Sequence, residues 1–127
     1  LGARLNLAAR LMEQGDLEEA INLTRIATQR APEVALGWYN LGLMQRRRGD
    51  IGAALQAYEQ ALELDPDNAE CHQNHAVALL MGGDIEGARQ GFRNAIARLE
   101  HQGRIDDAQS LRQKAGQIVK LDVEPIA

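Results

Sequence analysis

Much of what protein chemistry usually relies on is scarce in this sequence. It holds one cysteine, Cys71, which excludes an internal disulfide framework and a cysteine-based zinc site. Aromatic residues make up only 3%, and no segment is rich in Val, Ile, Thr and rings, so a sheet is a poor fit. No apolar run is long enough to span a bilayer, and no signal peptide is visible. Neither sign of charge dominates: 14 basic residues against 18 acidic ones give a net −4, which argues against general nucleic-acid binding. A glycine loop of the P-loop or dinucleotide type is missing, as are the nucleophile elbow and HExxH. The expectation is a non-catalytic chain without cofactor, in a reducing, cytoplasmic setting. Its first residue is Leu1 rather than Met, which reads as a piece of something longer, with room outside it for a targeting segment, an anchor or a catalytic domain.

What is present is alanine and leucine at helical spacing, punctuated regularly. Shifting the sequence by 34 residues brings Pro32 onto Pro66, and Gly15-Asp16 onto Gly49-Asp50 and Gly83-Asp84. Ala20, Ala54 and Ala88 share a column, as do Ala27, Ala61 and Ala95, and Leu7, Leu41 and His75. Ala8, Gly42 and Ala76 form a column of small residues, which allows close helix approach. Tyr58 and Phe92 share a column with Thr24. Each Gly-Asp step supplies a residue tolerant of positive φ at one helix end and a starting residue for the next helix. The prolines break the chain between units. Apolar spacing predicts helices at about 2–14, 18–30, 35–48, 52–64, 69–81 and 86–101. A seventh amphipathic helix is predicted over Arg104–Lys120, with Ile105, Ala108, Leu111, Ala115, Ile118 and Val119 on its apolar side. Helix pairs of this kind cannot bury their apolar faces alone and therefore stack.

These columns resemble the tetratricopeptide repeat. The second copy fits nearly throughout, with Trp38, Leu41, Gly42, Gly49, Ala54, Tyr58, Ala61 and Pro66. The first departs at Arg4 and Leu11, and the third at His72, His75 and Glu100, where a closing proline is absent. The resemblance covers residues 1 to about 100. It implies an all-α, right-handed α-solenoid of three helix-turn-helix units (1–34, 35–68, 69–102), a capping helix (103–120) and an extended tail (121–127).

It also implies a concave groove lined by the first helix of each unit. Carried onto this sequence, the groove holds Leu5, Asn6, Ala9, Met12 and Glu13; then Leu36, Tyr39, Asn40, Leu43, Arg46 and Arg47; then Glu70, Gln73, Asn74, Val77, Leu80 and Met81. Asn6, Asn40 and Asn74 recur at the repeat spacing. An asparagine amide both donates and accepts, so a ladder of three suits the backbone of an extended peptide. The expected binding residues are Asn6, Tyr39, Asn40, Leu43, Arg46, Asn74 and Val77. The cations of a carboxylate clamp are missing: Leu5, Ala9, Glu70 and Asn74 stand at four of its positions, and only Asn40 fits. An apolar lining with methionines and Arg46-Arg47 suits a segment with apolar anchors and an acidic residue.

His72 and His75 lie three apart and would share a helical face. Both fill packing columns, so they read as core histidines; a metal would need further ligands that the nearby sequence does not offer. Cys71 reads as an unreactive thiol. Glu18-Glu19 and Asp106-Asp107 lie at helix starts and Arg47-Arg48 at a helix end, where each favours the helix dipole.

The leading reading is a scaffold that binds a protein or peptide segment, with no nucleic acid and no membrane partner. A second is a regulatory or substrate-recruiting arm of a larger enzyme. A third is weak self-association, with the groove filled by a neighbour's tail such as Val123–Ala127. The C-terminal third also resembles, loosely, the ends of tetratricopeptide proteins that assist photosystem assembly.

Overall fold

A computed structural model describes residues 1–121, so the expected tail lies outside the described residues from position 122 on. Among the described residues there are seven α-helices and no strand: α1 (Gly2–Glu13), α2 (Leu17–Arg30), α3 (Ala35–Arg48), α4 (Ile51–Leu64), α5 (Ala69–Met81), α6 (Ile85–His101) and α7 (Ile105–Ile118). They fall into two compact units, α1–α4 up to Pro66 and α5–α7 from Asp67 onward.

Four corners share one construction. Gly15, Gly49, Gly83 and Gly103 take φ of 87°, 92°, 90° and 77°. At each, the glycine N–H and the N–H that follows it close back on the helix just ended. Gly49 N donates to Arg46 O and Asp50 N to Gln45 O, both at 2.9 Å. This is the Schellman ending, which satisfies the last carbonyls and needs a left-handed residue that only glycine adopts cheaply. After the turn, Asp50 and Asp84 cap the next helix by accepting from Ala53 N (3.3 Å) and Gly87 N (2.9 Å). Asp16 stands in the same place without a side-chain cap. Gly103 repeats the turn where the inter-repeat proline is absent, so α6 runs 17 residues before α7 folds back on it. Asn68 caps α5 through Cys71 N at 3.0 Å, a cap not read from the sequence.

The core of the first unit holds Ala8, Ala20, Ile21, Leu41, Met44 and Ala57, with Leu11, Met12, Leu17, Leu23 and Trp38 packed against it. Trp38 also donates from Nε1 to Pro32 O at 2.9 Å. The small-residue column works as a matched set. A Cβ added to Gly42 would lie 2.6 Å from Cε1 of Tyr58, so glycine admits the buried ring. In the first copy Ala8 is paired with a small residue, Thr24, whose hydroxyl donates to Ala20 O at 2.8 Å and meets Met44 Sδ at 3.3 Å. Arg48 pairs with Glu18 at 2.9 Å and so ties the end of α3 to the start of α2.

The core of the second unit centres on Ala76, Ala88, Phe92, Ala95, Ile96 and Leu99, continued by Ala108, Leu111 and Ala115 of α7 and by Val119 just after it. Two residues expected on the buried side of α7 are outside it: Ile105 and Ile118 are 51% and 60% exposed. Both lie at the margins of the stripe that Ala108, Leu111, Ala115 and Val119 define, and at the two ends of the helix, where cover runs out.

Gln45 is a buried polar side chain in α3, and its Oε1 accepts no hydrogen bond. A buried acceptor left unmet costs about 1–3 kcal/mol. One repeat away on either side the same position carries Leu11 and Leu79. Gln45→Leu is expected to raise stability by about 1 kcal/mol, read as a higher urea midpoint with an unchanged slope.

Candidate peptide-binding site

In the first unit the expected binding residues lie mainly on α3. Leu36 is 53% exposed, Arg47 is exposed, and Tyr39, Asn40, Leu43 and Arg46 are half-buried. Spacing of three and four brings Tyr39, Leu43 and Arg46 onto one side of the helix. Tyr39 stands near Tyr58 of α4, ring centroids 6.2 Å apart and planes at 49°, a tilted aromatic pair. Arg46 Nε donates to Tyr58 Oη at a long 3.4 Å. Tyr58 therefore does two jobs: its ring fills the space Gly42 leaves, and its hydroxyl reaches the guanidinium on α3. In the sequence Tyr58 stood only as a repeat-column residue aligned with Phe92, which has no hydroxyl, so nothing there pointed to the second role.

α1 lies against α3. Asn6 and Glu13 are exposed, and Ala9 and Met12 half-buried. Leu5, expected to line the groove, is instead buried at 5% exposure. It precedes Ala8 by three residues and Met12 by seven, so it falls on the inward apolar stripe of α1.

In the second unit α5 carries Glu70, Gln73, Asn74, Val77, Leu80 and Met81. Val77 and Leu80 pack against the core, while Met81 is 54% exposed. Asn74 is half-buried, and its Nδ2 donates to Glu70 O at 2.9 Å, so that amide is engaged with its own helix. α7 contributes here as well. Glu70 and Gln73 share a small groove of about 140 Å³ with Arg104, Asp107, Ser110 and Lys114. From the sequence, Asp107 and Lys114 belonged to a face turned to water. What the sequence did not reveal is that the start of α7 and the first turns of α5 line one groove.

Arg104 holds that groove's entrance, with Nη2 donating to Glu70 Oε2 at 2.5 Å and Nε to Asp107 Oδ2 at 3.1 Å. The Arg104 hydrogen bond keeps the Glu70 carboxyl below its ordinary pKa, against an opposing push from partial burial. A depressed carboxyl contributes stability above its unfolded pKa and loses it as pH falls through the folded value. Glu70→Gln is therefore expected to lower thermal stability at neutral pH, with the difference from the parent closing in acid below the ordinary glutamate range. Melting curves at pH 7 and pH 3 check this.

Cys71 and His72 are buried, and His75 is half-buried. Among the described residues no group of three His, Cys, Asp or Glu side chains is placed to hold a metal ion, and no helix is long and apolar enough to cross a membrane.

Two family models, both described as tetratricopeptide repeat, match residues 5–69 and 45–112. The chain belongs to the tetratricopeptide repeat family. A TPR repeat-containing protein of Synechococcus elongatus is 38% identical over 135 residues, covering 77% of this chain and 34% of that protein. A human protein O-mannosyl-transferase is 38% identical over 66 residues, covering 52% of this chain and 8% of that protein. The chain thus spans a minor part of these relatives' length. Among solved structures, PcrH in complex with the chaperone binding region of PopD superposes with a TM-score of 0.83 at 22% identity, covering 94% of this chain and 88% of that one.

Proposed function

We propose that this chain is a non-catalytic interaction module that binds a peptide or protein segment along the first helices of its repeats. Tyr39, Asn40, Leu43 and Arg46 of α3 are the principal contacts. Asn6 of α1 adds to them, and Asn74 and Val77 of α5 form the corresponding part of the second unit. The observation that carries this reading is the α3 surface itself. An aromatic ring, an amide, an aliphatic side chain and a guanidinium occupy neighbouring turns, half-exposed, on a rigid helix whose opposite side is fixed in the core. Aromatic and arginine anchors of this kind dominate binding energy at protein interfaces. The fold shared with PcrH, which is in complex with the chaperone binding region of PopD, supports the same use of the scaffold.

The ligand this surface fits has apolar anchors and an acidic residue for Arg46. Tyr39→Ala with Asn40→Ala is expected to weaken such a segment about tenfold or more, or at least about 1.4 kcal/mol, measured by titration calorimetry with a partner segment. The far-ultraviolet circular dichroism should stay unchanged, because neither residue is fully buried. Unaltered affinity in the double variant would remove the proposal. A second reading is a recruiting arm within a larger enzyme, favoured by the small share of the O-mannosyl-transferase that the chain matches. Binding of a segment by the isolated chain, with catalysis residing elsewhere, is common to both readings.

A further inference from the structure

The first helix pair carries an open groove of about 520 Å³ between α1 and α2. Leu7 and Leu23 line it, and Leu1, Ala3, Arg4 and Arg30 line the end where α1 starts and α2 finishes. No carboxylate lines it, and among the described residues neither Arg4 nor Arg30 has an ion pair. Ile26 lies between Leu23 and Arg30 on the same stripe of α2. It is exposed, where the next two copies carry the polar Gln60 and Asn94. None of the proposed α3 contacts lines this groove.

The next repeat shows what such a face is shaped to hold. Leu7 is 42% exposed, whereas its counterpart Leu41 is 5% exposed and shares a core with Ala20 and Ile21 of α2. Ala57, the counterpart of Leu23, is buried in the same core. In the second pair, α2 thus covers what the first pair leaves open. Arg4 stands where the second copy has Trp38, whose Nε1 donates to Pro32 O, two residues beyond the end of α2. At this position the donor is kept and gains a charge. Arg4, with Arg30 in the same groove, stands where a covering helix would show its unsatisfied last carbonyls, and a cation is favoured at that end.

We propose that this face takes one amphipathic α-helix of a partner protein, antiparallel to α1. Its apolar stripe lies on Leu7, Leu23 and Ile26, and its carboxyl end lies over Arg4 and Arg30. The polarity follows from the place of α2 on α3, and the charge complementarity from the two guanidinium groups at one end. The same face of a second copy offers these cations no carboxylate, which favours a different chain. Because the face shares no residue with α3, a partner helix can dock while α3 holds another segment.

The test is a displayed library of helical peptides with one randomised stripe, panned on the full chain and counter-selected on Leu7→Glu. A labelled winner is expected to lose at least tenfold in affinity on Leu7→Glu and on Arg4→Glu, and less than twofold on Asn40→Ala. Ile26→Glu, at another exposed position, is a second blocking variant. A nitroxide at the winner's carboxyl end is expected to broaden the amide signals of Arg4 and Arg30, and one at its amino end those of Gln14 and Leu17. Failure to enrich any helix, winners that bind both blocked variants as tightly as the parent, or the reverse polarity would overturn the proposal. So would self-association in sedimentation that Leu7→Glu abolishes, since a second copy would then be the occupant. Loss of winner binding in a longer polypeptide that begins ahead of Leu1 would overturn it too, since that polypeptide's own segment would then hold the face.

Discussion

Tyr58→Ala lowers the stability of the first unit by about 3–5 kcal/mol, the range for a buried ring lost to alanine. The side chain is fully buried, and its ring occupies the space opposite Gly42. Gly42 has no side chain to move into that space, so the cavity stays largely open and the cavity cost adds to the lost transfer energy. Tyr58→Phe keeps the ring and removes only the hydroxyl, so it costs less, about 1 kcal/mol. The single tryptophan, Trp38, packs on the core of the same unit and reports its unfolding by fluorescence. A loss under 1 kcal/mol for Tyr58→Ala would mean that the ring does not hold α3 and α4 together.

Gly91→Val is the second large effect, about 2–3 kcal/mol at the upper part of the overpacking range. A Cβ at Gly91 would fall 2.8 Å from Cβ and 3.2 Å from Cα of Ala76. Ala76 is fully buried, and one of the crowded atoms is backbone, so no flexible tip can swing away. The axes of α5 and α6 would have to part, loosening the contacts of Phe92 and Ala95 between them. Gly116→Ala is the contrasting substitution: its Cβ enters open space, and it should stabilise by about 0.5–1 kcal/mol. Chemical denaturation followed by circular dichroism compares the two. Equal effects would contradict the close approach of α5 and α6 at Gly91.

The fold was legible in the sequence because its determinants are local and repeated. Gly-Asp corners, inter-unit prolines and alanine columns each act within a hairpin, and the 34-residue offset aligns three imperfect copies so that the second explains the other two. Predicted helix limits agree with the observed ones within a residue or two. Less legible was whatever depends on one copy differing from the others. Gly91 shares its column with Leu23 and Ala57, so nothing marked it as a point of tight contact between α5 and α6. Leu5 obeyed the inward stripe of α1 rather than the position counting of the repeat. Asp107 read as part of a helix start, and the bond of Arg104 to Glu70 could not be foreseen because Glu70 is distant in sequence. Of the candidate site, the α3 residues could be named from the groove positions that the family resemblance implies, whereas the contact of Tyr58 with Tyr39 and Arg46 needed the geometry between α3 and α4.

The central claim is that a peptide binds on α3. The most direct test is a ¹⁵N-resolved NMR titration of the full chain with a peptide selected for binding to it. The account predicts that the largest shift changes fall on the backbone amides of Tyr39, Asn40, Leu43 and Arg46 and on the side-chain nitrogens of Asn40 and Arg46, with Asn6 following. Perturbations centred instead on the exposed residues of α2 and α4, such as Arg25 and Gln60, would contradict it.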